Sequence, residues 1–151
     1  MKVVVSACLM GEDCKYNGLD NYHRALVEAI ERAGCEVVLV CPEVFGGLPV
    51  PREPAELVDG TVRTKSGASV DRAFRVGSQR ALSVCQEAGG PGEVALVVLQ
   101  DRSPSCGVGR VYDGTFMGRL TSGNGVFAEE LIRRGYRVVP ASAFDPDMLK
   151  S

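Results

Sequence analysis

The sequence predicts an α/β fold: a three-layer sandwich around a mainly parallel four-stranded sheet, with short β-hairpin insertions. Three observations predict it. Short β-branched runs alternate with amphipathic stretches in the order β-α-β-hairpin-α-β-hairpin-α-β, the order that builds parallel sheets. Val94-Ala95-Leu96-Val97-Val98-Leu99 is an almost unbroken apolar run, as in a strand covered on both faces. Two Asp-Gly pairs, Asp59-Gly60 and Asp113-Gly114, mark tight turns of the hairpin kind.

Val3 to Val5 is the first strand, followed by a loop containing Gly11. Between Tyr22 and Gly34, Ala25, Leu26, Ala29, Ile30 and Ala33 recur at helical spacing, with Gly34 as the stop. Glu36 to Val40 is the second strand. A long loop held open by Pro42, Pro49, Pro51 and Pro54 follows, then a hairpin over Leu57–Val62. Ser69 to Glu87 is a second amphipathic helix, with Val70, Ala73, Phe74, Gly77, Ala81, Leu82 and Val84 largely on one side. Gly89 to Gly92 is a linker turn before the third strand, Val94–Leu99. Tyr112 to Phe116 predicts another hairpin, 125–134 a helix, 137–139 the fourth strand, and 140–151 a short capping turn.

The chain has 151 residues and is expected to form a single domain over 1–151. That length buries roughly two-thirds of the unfolded surface, so neither metal nor disulfide is needed merely to fold. With 45% apolar and 24% charged residues it is neither a disordered tail nor a membrane protein. Seventeen Lys plus Arg against 19 Asp plus Glu give a net charge of −2. No global field draws such a chain onto nucleic acid or anionic lipid, although a local basic groove remains possible. The oligomeric state is left open. Only seven residues precede Cys8, too few for a signal peptide, which points to a cytoplasmic protein. In that reducing compartment six cysteines indicate metal binding or catalysis before disulfides.

Three of those cysteines hold equivalent places. Cys8 follows strand one, Cys41 follows strand two, and Cys106 lies in the loop after strand three. In an open parallel sheet, ligands bind beyond the carboxyl ends of the strands, where the strand order reverses. A 2-1-3-4 order would bring the three thiols to one crevice. Three thiolates suit a soft metal but lack the fourth ligand of a closed zinc site. On a four-iron cluster they would leave one iron open as a Lewis acid toward sulfur. Beside the thiols, Cys41-Pro42-Glu43 offers a carboxylate, and Ser103-Pro104-Ser105-Cys106-Gly107 offers two hydroxyls and a backbone that a ligand can approach. Arg52 either binds an anion or pins its loop by a surface ion pair.

Other chemistries fit poorly. No cysteine is followed six residues later by Arg, as a phosphatase nucleophile requires, and Cys-x-x-Cys and the phosphate-binding loop are absent. His23, the only histidine, reads as a surface or capping residue. Cys35 and Cys85 sit at apolar positions as small hydrophobes. Cys14 shares the first loop with Cys8, and a ligand or redox role stays open for it. Arg72, Arg75 and Arg80 read as a solvated face, and Gly123-Asn124-Gly125 as a tight turn.

Seven segments together resemble one family along nearly the whole chain: Ser6-Ala7-Cys8-Leu9-Met10-Gly11, Tyr16-Asn17-Gly18, Cys41-Pro42-Glu43, Gly46-Gly47-Leu48-Pro49 with Pro51-Arg52, Ser103-Pro104-Ser105-Cys106-Gly107, Tyr112-Asp113-Gly114 and Gly123-Asn124-Gly125-Val126. The family is DUF523, also called the thiouracil desulfurase (TudS) domain. The resemblance implies a [4Fe-4S] cluster with one open iron, held by cysteines matching Cys8, Cys41 and Cys106. It implies a catalytic glutamate matching Glu43 and a catalytic serine, with Ser103 favoured over Ser105. Ser105 and Gly107 are then expected at the substrate. The implied reaction is non-redox removal of sulfur from thiolated pyrimidines such as 2-thiouracil. Asn17 and Gln100 depart from the Asp and Lys frequent in relatives, which bears on substrate choice. Two other readings use the same thiols: a sulfide or cluster carrier or sensor without catalysis, and a zinc-dependent hydrolase.

Overall fold

The computed structural model describes residues 1–150; Ser151, the last residue of the predicted tail, lies outside them. Four strands form one parallel sheet in the order β2-β1-β5-β8: β1 Lys2–Ser6, β2 Glu36–Val40, β5 Val94–Leu99 and β8 Val138–Pro140. This is the expected 2-1-3-4 order. The register sets Val5 opposite Leu39 on one side and Val98 on the other, and Val98 opposite Val139. Alternation along the strands splits the apolar side chains between two cores. Val4 and Val97 face helices α3 (Asp71–Ala88) and α4 (Val126–Arg133), with Leu82, Cys85, Phe127 and Leu131. Val3, Val5, Leu96 and Val98 face α1 (Arg24–Ala33) and the last 3-10 turn, Pro146–Leu149, through Leu26, Ile30 and Leu149. The result is a three-layer arrangement. The predicted tail thus contributes a buried side chain, Leu149, to the second core.

His23 caps α1: its Nδ1 accepts the Leu26 N–H at 3.1 Å. Ala25 and Ala33, expected on the apolar face, are exposed, and Leu26, Ala29 and Ile30 alone bury that helix. The first hairpin pairs β3 (Ala55–Val58) with β4 (Thr61–Thr64) around Asp59 and Gly60, at φ 50° and 82°. Positive φ at both central residues is what a tight two-residue hairpin turn requires.

Two expectations are corrected. The proline-rich loop contains a turn of helix, α2 (Pro42–Phe45), because Pro42 falls in the first turn, where a missing N–H costs nothing. The second hairpin pairs β6 (Arg110–Tyr112) with β7 (Leu120–Ser122) across a longer loop. Asp113 does not close it. Its carboxylate turns the loop locally by accepting from the Thr115 N–H and hydroxyl. The fourth strand begins and ends one residue later than predicted.

Candidate active site

Three loops leave the carboxyl edge of the sheet side by side. The chain after β1 coils at once into a 3-10 turn, Ala7–Met10, which carries Cys8. Cys41 is the last residue before α2, and Glu43 lies in the first turn of that helix. Cys106 sits in the loop after β5, whose backbone is tied to α4 by hydrogen bonds from Val126 and Phe127 to Pro104 and Ser105. All three thiols line one cavity of about 240 Å³, together with Cys14, Glu43, Arg52, Ser103 and Ser105. The cavity is smaller than a drug-sized ligand site, so it takes a compact occupant. The thiols surround it without closing on a single point: among the described residues no three such side chains are grouped to hold one metal ion.

The carboxylate and hydroxyls form an ordered chain. Ser105, 2% exposed, donates its hydroxyl hydrogen to Glu43 Oε2 at 2.7 Å. Ser103 Oγ accepts the Cys106 N–H at 2.7 Å and stands 3.3 Å from Ser105 Oγ. Because the Ser105 hydrogen is committed to Glu43, the contact between the serines runs from the Ser103 hydroxyl to the Ser105 oxygen. The other carboxylate oxygen, Glu43 Oε1, receives Arg52 Nε at 3.1 Å and Nη2 at 3.0 Å. The two side chains are 16% and 8% exposed, so this is a buried ion pair, not the surface pair expected.

Each thiol has polar company. Asn21 Nδ2 lies 3.8 Å from Cys8 Sγ as a donor, and the Ser105 hydroxyl lies 3.8 Å from Cys106 Sγ. Burial pushes the Cys106 thiol up to about 12, against the nearby hydroxyls of Ser6 and Ser105, which lower it. Cys41 is raised by its hydrogen bond with the Cys14 thiol first and by burial second. For Cys14 the bond to Cys41 lowers the value, but the bond to Cys8 and burial outweigh it and leave it at about 11. All three shifts favour the protonated thiol, and a metal held by a thiolate displaces that proton.

Cys14 therefore belongs to the site. The sequence signal was there, in its shared loop with Cys8, but its closeness to Cys41 was not. Gly107 does not line the cavity. It is buried because a Cβ there would crowd Ser103 O at 2.7 Å and Arg110 O at 2.9 Å. Of the two departures, Gln100 lines the cavity, whereas Asn17 is exposed and closes a turn by accepting the Leu19 N–H at 3.0 Å. Asn124 accepts the Gly109 N–H and donates to Glu129, as a turn residue. Cys85 is core, fully buried. Of two further wall residues, Arg102 went unread in the sequence and Tyr112 was read only as part of a hairpin and a family segment. Arg102 adopts a left-handed φ of 68° and places its guanidinium 6.0 Å from the Tyr112 ring centre. A strained backbone beside a cavity is a mark of functional sites.

Thiols from three adjacent strand ends line one parallel-sheet crevice with an acid–hydroxyl chain, the class of site at which thiolates hold a soft metal centre. The chain belongs to the 2-thiouracil desulfurase family, whose model matches residues 3–142. It is 35% identical over 147 residues to the Bacillus subtilis (strain 168) protein YbbK, covering 91% of this chain and 93% of that one. It also superposes on the solved structure of a [4Fe-4S]-dependent thiouracil desulfidase, TudS. That match has a TM-score of 0.83 at 38% identity and covers 92% of this chain and 89% of that one. No helix of the described residues is long and apolar enough to cross a membrane.

Proposed function

We propose that this protein is a [4Fe-4S]-dependent desulfidase that removes sulfur from thiolated pyrimidines such as 2-thiouracil and releases it as sulfide. One observation carries the reading: Cys8, Cys41 and Cys106 line the same cavity as the Glu43–Ser105–Ser103 chain. The donor set fits the cluster, since soft thiolates from three separate loops leave one iron without a protein ligand. Cys8, Cys41 and Cys106 would hold it. When bound, the cluster supplies a Lewis-acidic iron toward the substrate's sulfur.

The reaction exchanges one bond for another. A thiocarbonyl and water give a carbonyl and hydrogen sulfide, with no electron gained or lost. What it needs from the protein is proton handling. Glu43 Oε2 takes a proton from the attacking water and returns one to the departing side. Ser105 is fully enclosed and passes the proton between carboxylate and cavity. Ser103 is only half-buried, so it is the hydroxyl that meets the substrate. A carrier or sensor of sulfide has no use for such a chain. The favoured serine thus remains Ser103, with Ser105 assigned to the relay and Gly107 to packing.

The test is anaerobic reconstitution with iron and sulfide, followed by incubation with 2-thiouracil. Four irons per chain and stoichiometric release of sulfide and uracil are expected. Iron loading without sulfide release would leave the carrier reading standing, and about one zinc with no iron would favour the hydrolase.

A further inference from the structure

Arg52 belongs to no part of the reaction described so far, yet its side chain makes the most branched set of contacts at the cavity. Nε and Nη2 both reach Glu43 Oε1, at 3.1 and 3.0 Å. Nη1 donates to Pro49 O at 3.1 Å, and Nη2 donates to Cys14 O at 2.9 Å. Its own N–H donates to Tyr16 O at 2.6 Å. One guanidinium thus joins the loop of Cys14 and Tyr16, the proline-rich loop and the first turn of α2. The side chain is 8% exposed, and a buried cation of this kind persists only where its donors are matched by fixed acceptors.

The two carboxylate oxygens of Glu43 are therefore not equivalent. Oε1 is held by the charge-assisted pair with Arg52 Nε and Nη2. Oε2 carries only the Ser105 hydrogen bond. We infer that Arg52 is the positioning residue of the desulfuration site: it locks Glu43 so that Oε2 alone, aligned on Ser105 and Ser103, handles the proton. This inference rests on the desulfidase reading and adds to it the residue that fixes the geometry of the acid–base group. A carboxylate free to rotate would present either oxygen, and displacement of about 1 Å costs about a hundredfold in rate. A planar fork is required, because the three donors of an ammonium radiate from one nitrogen, whereas the guanidinium reaches Glu43 Oε1, Pro49 O and Cys14 O from three separate nitrogens.

The experiment is a double-mutant cycle in anaerobically reconstituted holoenzyme, with 2-thiouracil as substrate. Arg52→Gln is expected to lower kcat by about a hundredfold with KM changed less than about threefold. Iron and sulfide content and the thermal midpoint should stay near wild type. Glu43→Gln should lose at least as much, and Arg52→Gln in the Glu43→Gln background should lose nothing further, because the arginine acts through that carboxylate. A merely structural arginine would instead give losses that add, and would shed iron or lower the midpoint in step with activity. Arg52→Lys serves if the glutamine variant does not fold; it should load iron normally and still lose at least about tenfold in kcat. A wild-type kcat in either arginine variant, or additive losses in the cycle, overturns the inference while leaving desulfuration in place. A wild-type chain that loads iron but releases no sulfide overturns the desulfidase reading, and this inference with it.

Discussion

The proposed reaction gives Glu43 and the three thiols separable jobs, and substitutions at them should divide accordingly. Serine at Cys8, Cys41 or Cys106 replaces a soft ligand by a hard, weakly acidic one. Each such variant is expected to come out of reconstitution with little iron and no turnover, read by iron assay and visible absorbance. Glu43→Ala leaves all three sulfurs in place, so iron content should stay at wild-type level while sulfide release falls by about a hundredfold or more. The serines should differ from each other. Ser105→Ala removes the only hydrogen bond to Glu43 Oε2 and one of two hydroxyl partners of Cys106. Ser103→Ala strips the acceptor of the Cys106 N–H and the outer hydroxyl of the chain. Both should lower turnover, and Ser103→Ala should raise KM more, because Ser103 is the more exposed of the two serines that line the cavity. Equal KM values in the two variants would place the substrate elsewhere. At this scale the convergence of the three thiols on one cavity was legible, since each follows a strand of unmistakable pattern. Arg52 and Cys14 were legible only as candidates, and what each touches was not. Their contacts join residues 38 apart in the chain, and no periodicity reports a side chain that reaches across loops.

At the scale of elements, α2 is held by α3 through two glycines. A Cβ on Gly77 would collide with Pro42 O, and one on Gly46 with Ala73 O. The turn bearing Glu43 therefore lies directly on the long helix, with no side chain between. Gly77→Ala must push α2 outward or bend α3. It is expected to cost roughly 1–3 kcal/mol in stability by overpacking, and to lower turnover further because Cys41 and Glu43 move with α2. Denaturant unfolding and sulfide release on the same preparation check both. The hairpin beside α3 has its own anchor in Asp71, whose Oδ1 accepts the Val62 N–H at 3.0 Å and which pairs with Arg75. Burial would raise the Asp71 carboxyl, but the Val62 N–H and Arg75 outweigh it and hold it below its usual 3.8. A lowered folded value means the charged form is favoured on folding. Its stabilisation is complete above the unfolded pKa and vanishes as the pH falls through the lowered one. Asp71→Asn should thus unfold at lower temperature than wild type near neutrality, with the gap closing below the usual aspartate value. A gap constant with pH would assign the effect to shape, not charge. The helices and strands themselves were readable because each carries its own period. The α2 turn was not, since four residues are too few to show one and Pro42, with the prolines that follow it, reads as loop.

At the scale of the molecule, the site is an edge feature of a sheet that is stable for other reasons. Strand order β2-β1-β5-β8 leaves the crevice between β1 and β5, where chain direction of travel reverses, and the three thiol loops open there. That order was predictable because β1 and β5 are apolar on both faces and so must be central, while β2 is half-buried throughout except at Val40 and exposed at Glu36. The bulk of the burial lies away from the cavity. Val3, Val4, Val5, Leu96, Val97, Val98 and Leu99 are fully enclosed between the helix layers, with Leu26, Phe127 and Leu131 packed over them. Cys8, Cys14 and Cys106 lie among the buried residues, but as minor members of cores made chiefly of aliphatic side chains. A small zinc domain whose metal substitutes for a core unfolds when the metal is removed. Here removal of iron by an anaerobic chelator should abolish turnover and leave the far-ultraviolet circular dichroism and a single cooperative melt intact. The midpoint should drop only by the linkage contribution of a ligand bound to the folded state, a few kcal/mol at saturating cofactor. The three-thiol variant, with serine at positions 8, 41 and 106, should melt close to the iron-free wild type, since neither carries a centre to lose. A collapse of the helical signal on chelation would mean instead that the centre organises the strand ends, and that the sheet does not present a finished site to its cofactor.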